Sequence, residues 1–228
     1  MVVNQLRPSL LAEASVQEKL AGMKILVVGS SGIIGSAVAN ALSERGQDIV
    51  EVTHSGEGLT VDLSDTASLK ALYDKVGEVD AVVCAAGVAQ FGPLEKLSDA
   101  DFTQSIENKL MGQVNLVRYG IGRVTEGGSF TLTSGGLSQN PSAATTAVSM
   151  VGAAVEAFVK GAAIDLEGRY RVNVVSPGWV AESRIQIGLG PMPGIWARDL
   201  AEYYIGLVEG LQTGQILQAE TARPDGIP

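Results

Sequence analysis

Residues 24–40 read K-I-L-V-V-G-S-S-G-I-I-G-S-A-V-A-N, and few folds can use such a stretch. Ile25, Leu26, Val27 and Val28 form an uninterrupted aliphatic run, as a strand buried on both faces of a parallel sheet requires. Glycines follow at positions 29, 32 and 35. Gly29 lets the chain turn sharply, Gly32 lets a ligand come close to the backbone, and Gly35 lets the next helix press on the strand. Ser30, Ser31, Ile33 and Ile34 place hydroxyls and free amides at the start of that helix, where the dipole favours a phosphate. Ala37, Val38, Ala41 and Leu42 continue at helical spacing, Gly46 closes the helix, and residues 48–53 supply a second strand. Strand, glycine turn, helix and strand in this order point to a nucleotide site.

The rest of the chain keeps the rhythm. Further strands are expected over 59–63, 79–86, 130–133, 171–175 and 215–218. Between them fall helices over 66–76, capped from Ser64 or Asp65, and from Asp99 or Asp101 to about residue 123. Two more are expected over 142–166 and 198–210. This alternation argues for an α/β fold, a Rossmann doubly wound parallel sheet of about seven strands with helices on both faces. A chain of 228 residues, 46% hydrophobic, suits a single such domain over 23–228, with residues 1–22 as an N-terminal extension holding at most one amphipathic helix. At the tip of the second strand, Thr53, His54 and Ser55 stand where a dinucleotide's adenosine ribose lies. No carboxylate is there to bond a 2'-hydroxyl and repel a 2'-phosphate, so NADP(H) is preferred as cofactor and NAD(H) is admissible.

Charge and rare residues exclude several classes. The net charge of −9 repels nucleic acid and anionic membrane surfaces, so neither is expected as a partner. No apolar run approaches the roughly 20 residues of a membrane span. The single cysteine, Cys84, excludes an internal disulfide and suits a cytoplasmic location. His54 is the only histidine, so no metal site and no histidine-based triad is expected.

With these motifs in place the chain resembles the short-chain dehydrogenase/reductase superfamily over residues 23–219. The glycine turn has that superfamily's G-x-x-G-x-x-G form, and Asp62-Leu63 sits where the family places a pair against adenine. Cys84-Ala85-Ala86-Gly87 resembles its Asn-Asn-Ala-Gly, Ser134 its strand-five serine, and R-V-N-V-V-S-P-G, ending in Pro177-Gly178, its sixth strand. Thr213-Gly214-Gln215 matches the turn into the last strand. The resemblance implies hydride transfer between nicotinamide and a carbonyl or alcohol, with a tyrosine as acid or base, a lysine four residues on, a serine on the substrate oxygen and an asparagine on the preceding helix. The tyrosine and lysine are absent here, because Val148 and Gly152 occupy their places. Lys109 replaces the asparagine, a substitution similar to that in the ketoreductase domains of polyketide synthases.

The leading expectation is therefore an NADP(H)-dependent oxidoreductase of a small molecule, with Ser134 and Lys109 as its catalytic pair. The alternative is a protein that holds NADP(H) as a redox-inactive sensor or scaffold, and a third is a non-redox enzyme reusing the pocket. A homodimer or homotetramer is expected. Ala143, Ala144, Ala147, Ala154 and Ala157 permit close helix contact, and members of the superfamily often pair through this helix.

Overall fold

The computed structural model describes residues 22–219, so the expected N-terminal helix lies outside the described residues. Strands β1 (Lys24–Val28), β2 (Asp48–Thr53), β3 (Leu59–Thr60), β4 (Val79–Cys84), β5 (Val124–Thr133), β6 (Arg171–Pro177) and β7 (Ile216–Ala219) form one sheet. Their order is β3-β2-β1-β4-β5-β6-β7, and every pairing is parallel. The order reverses between β1 and β4, so a crevice opens beyond the carboxyl ends of those two strands.

Helices α1 (Ile33–Glu44) and α7 (Ala197–Glu209) cover one face. There Val38, Leu42, Leu200 and Tyr204 meet Ile25 and Val27 of β1 and Ala81 and Val83 of β4. The alternate strand residues, Leu26, Val28, Val82 and Cys84, meet helices α2 (Thr66–Val76), α4 (Gly112–Gly120) and α5 (Thr146–Asp165) on the other. Period-two alternation thus feeds two apolar layers, and the sheet is buried on both sides. By length and composition α5 could cross a membrane. Its Val151, Val155 and Val159 are instead fully buried in the domain, and Met150, Ala153, Ala157 and Ile164 are exposed.

Several boundaries differ from expectation, each for a local reason. The third strand stops at Thr60 rather than 63, because Ser68 Oγ accepts the Asp62 amide and Asp62 Oδ1 accepts the Ser64 amide, curling the chain off the sheet. The fourth strand ends at Cys84, after which Gly87 turns at φ 127°. The fifth begins early, at Val124, and α5 starts at Thr146 rather than 142. Helix α3 (Asp99–Ser105) is capped by Ser98, with Asp101 closing a capping box. It runs into a π-helical turn, Ile106–Met111, before α4. A short helix, α6 (Ala181–Gln186), follows β6.

The contact between α1 and β1 is set by Gly35, where a Cβ would collide with the Gly29 carbonyl. Gly161 on α5 has open space around it. Gly35→Ala is therefore expected to cost about 2 kcal/mol or more in urea unfolding. Gly161→Ala should raise stability by about 0.5–1 kcal/mol. Equal effects of the two would contradict this packing.

Candidate active site

At the crevice, Gly29 takes φ 90°, and a Cβ there would stand 2.9 Å from Ala86 Cβ and 3.1 Å from the Ala85 carbonyl. The turns after β1 and β4 are thus in contact. Gly32 caps α1 with extended dihedrals, φ −81° and ψ 166°, and no side chain occupies the helix end. The Ile33 and Ile34 amides have no acceptor among the described residues, as the first turn of a helix leaves them. Ser31 is exposed, while Ser30 is buried against the Val52 carbonyl, to which its hydroxyl donates at 3.4 Å. The expected phosphate residues therefore divide, with Gly32, Ile33, Ile34 and Ser31 framing the open helix end and Gly29, Ser30 and Gly35 supporting it.

The residues expected at the adenosine end lie on loops. His54 and Ser55 are exposed at the tip of β2, and the Thr53 hydroxyl donates to the Ser55 carbonyl at 3.1 Å. Leu63 is buried against Gly112, where a Cβ would come within 2.7 Å of Leu63 Cβ. Asn108 joins two loops, accepting the Val88 amide at 2.7 Å and donating to Ser64 Oγ at 3.0 Å.

Beyond the ends of β5 and β6 lies a cavity of about 480 Å³. It is large enough for a small organic molecule. Lys109, Ser134, Ser176, Pro177, Gly178 and Gln218 line it together with Phe91, Leu137, Val151, Trp179 and Val180. Val148 and Gly152, the places of the superfamily's tyrosine and lysine, also face this space, one helical turn apart. None of the five tyrosines lines it. Tyr204 is fully buried, with its hydroxyl 2.7 Å from Thr133 Oγ1. Trp196 caps α7 and is not part of the wall.

Lys109 rides on the π-helical turn, whose Gly112 amide bonds the Glu107 carbonyl, five residues back. Such turns recur at functional sites. Gln113, fully buried, holds the turn in place. Its amide nitrogen donates to the Lys109 carbonyl at 3.0 Å and the Thr133 carbonyl at 2.9 Å, and its oxygen accepts the Thr133 amide at 2.9 Å. The Lys109 stem crosses Gly87, where a Cβ would lie 2.6 Å from Lys109 Cδ. Its ammonium has no hydrogen-bond or ion-pair partner among the described residues. Burial lowers its pKa below the usual lysine value, and the neighbouring Cys84 opposes that shift. Burial pushes the Cys84 thiol up to about 11, so it is a neutral side chain rather than a nucleophile.

Ser134 is buried and donates to Glu156 Oε1 at 2.7 Å. The same oxygen accepts Ser138 Oγ at 2.6 Å and Ser176 Oγ at 3.0 Å, while Gln139 Nε2 is 3.5 Å from Oε2. Sequence reasoning missed Glu156, Gln113, Asn108 and Ser176. One signal was present for Glu156, an acid at i+4 from Gly152 and i+8 from Val148 in an otherwise small and apolar helix.

A family model described as enoyl-(acyl carrier protein) reductase matches residues 28–188. Versicolorin reductase 1 of Aspergillus parasiticus is 30% identical over 188 residues, covering 72% of this chain and 72% of that protein. The crystal structure of protein lin1944 from Listeria innocua superposes with TM-score 0.82 at 37% identity, over 86% of this chain and 99% of that one. A small-chain dehydrogenase in complex with NADPH superposes with TM-score 0.78 at 25% identity, over 88% and 97% of the two chains.

A Cβ at Gly32 would stand 3.4 Å from its nearest neighbour, the Gly29 carbonyl oxygen, so the fold tolerates a side chain there. Gly32→Val is expected to melt like the parent yet bind NADPH more than tenfold more weakly, as read by fluorescence titration, because its branches fill the helix end. Parental affinity in the folded variant would remove the phosphate site from this turn.

Proposed function

The chain belongs to the short-chain dehydrogenase/reductase superfamily, and from that premise we propose that it is an NADP(H)-dependent reductase of a small carbonyl or related unsaturated compound. The crevice fits such a cofactor: a cradle without side chains at Gly29, Gly32 and Gly35, an open helix start at Ile33 and Ile34, and no acid beside His54 and Ser55. The NADPH complex of one structural relative supports the same preference. Asp62, Leu63, Ala85, Ala86, Gly87, Pro177 and Gly178 would complete the holding surface. When bound, the nicotinamide supplies the hydride.

The observation that carries the chemistry is Lys109, a cation without a partner among the described residues, in the same cavity as Ser134. Its role in this reading is to donate a hydrogen bond to the substrate oxygen and stabilise the negative charge that develops there. Trp179, Val180 and Phe91 give the cavity an apolar side against which the carbon skeleton of a substrate can pack. No phenol stands near to deliver the proton, a loss worth about 10²- to 10⁴-fold in rate. Substrates activated by conjugation or neighbouring groups tolerate it best.

The lack of a tyrosine in the cavity also favours a second reading, a protein that holds NADP(H) without turnover. NADPH oxidation against ketones, quinones, imines and enones separates the two. Turnover with at least one class supports the reductase, and tight NADPH binding without turnover supports the sensor.

For the reductase, Lys109→Met is expected to lower turnover at least tenfold, about 1.4 kcal/mol of transition-state stabilisation. Burial favours the neutral amine, so the positive charge is lost as pH rises through a value below the usual lysine pKa of 10.5. Turnover should accordingly fall on an alkaline limb that Lys109→Met lacks. An identical limb in that variant would contradict the assignment.

A further inference from the structure

The serines of this cavity are turned the wrong way for donating. A serine has one proton and two lone pairs. Ser134 and Ser176 both direct their protons to Glu156 Oε1, at 2.7 Å and 3.0 Å, and Glu156 lies behind the wall rather than in it. Ser138 adds a third bond to that oxygen at 2.6 Å, so it acts as acceptor to all three hydroxyls. Three hydroxyls within hydrogen-bond distance of one carboxyl oxygen donate to it, which fixes the serine rotors. Towards the cavity, Ser134 and Ser176 are left with lone pairs.

A donor stands elsewhere on the wall. The Lys109 ammonium has no hydrogen-bond or ion-pair partner among the described residues. Donors and acceptors are thereby separated. A plain ketone oxygen accepts only, so it satisfies Lys109 and leaves the serine lone pairs against an apolar surface. A buried polar group left unpaired costs binding, and a site built around a substrate hydroxyl rejects the analogue that lacks it.

We infer that Glu156 is a positioning residue that sets Ser134 and Ser176 as hydrogen-bond acceptors, and that the pocket therefore selects a carbonyl compound bearing a hydroxyl beside the reacting carbon. This rests on the proposed NADP(H)-linked reading and adds the substrate class. The carbonyl oxygen meets Lys109, the neighbouring hydroxyl donates to Ser134, and the apolar remainder packs on Phe91, Val151 and Trp179.

Calorimetry on the NADP⁺-loaded protein tests it without turnover, using α-hydroxyacetophenone, its methyl ether and acetophenone. NADP⁺ affinity is measured first, and failure to bind it overturns the functional reading together with this inference. With NADP⁺ bound, the hydroxy compound is expected to bind at least tenfold tighter than either analogue. Equal binding of the three, or no binding of the hydroxy compound, overturns the substrate class and leaves the cofactor reading standing. In Glu156→Gln, whose amide can donate to the serines and release their protons, the preference should fall to threefold or less. Ser134→Ala, at the cavity surface, should do the same and decides the matter if Glu156→Gln does not fold. A tenfold preference surviving in a folded variant of either kind overturns the role given to Glu156.

Discussion

The approach of Gly35 to the carbonyl of Gly29 governs where everything else can sit. It draws the start of α1 under the end of β1, and only a residue without Cβ permits that distance. Gly29, turned to φ 90°, then lets Ala85 and Ala86 close in from β4. The reversal of strand order between β1 and β4 places an open helix end beside the mouth of a cavity formed by later strands. The helix end and the cavity become neighbours because two backbone turns touch.

The second half of the site depends on polar side chains used as structural fasteners. Gln113 pairs with both backbone groups of Thr133 and with the Lys109 carbonyl, joining the π-helical turn to the end of β5. Glu156 fastens β5 to β6 through Ser134 and Ser176. Both groups are buried, and each would be costly without its partners. Here they fix the two sides of the cavity, one carrying Lys109 and one carrying the serines. The missing tyrosine leaves Val148 and Gly152 as a smooth stretch of wall, so polarity reaches the cavity from other directions.

The sheet was legible because its signals are local. Asp48–Thr53 and Thr66–Val76 announce themselves by apolar period, turn residues and the Asp65 cap, and they form over those residues. The parallel sheet of about seven strands was readable from the alternation of such elements, and seven strands form. Lys109 and Ser134 could be singled out because they stand at motif positions, and both line the cavity. Glu156 reads in one dimension as a solvated helix acid. Its role appears only when serines 18, 20 and 22 residues away in sequence converge on it. The π-helical turn was hidden for the same reason, since the Gln113 bonds that anchor it reach across to β5. Asp62 misled at short range, where side-chain bonds to nearby backbone outcompeted two further residues of strand.

An oxidoreductase without the phenol of its superfamily stands or falls on whether hydride moves in this pocket. The most direct measurement uses NADPH doubly deuterated at nicotinamide C4, with an α-hydroxy ketone as acceptor and mass spectrometry of the product. The account predicts one deuterium on the former carbonyl carbon, with transfer slowed at least tenfold in Lys109→Met. Bound NADPH that leaves the product free of deuterium, or leaves the ketone unchanged, would contradict it.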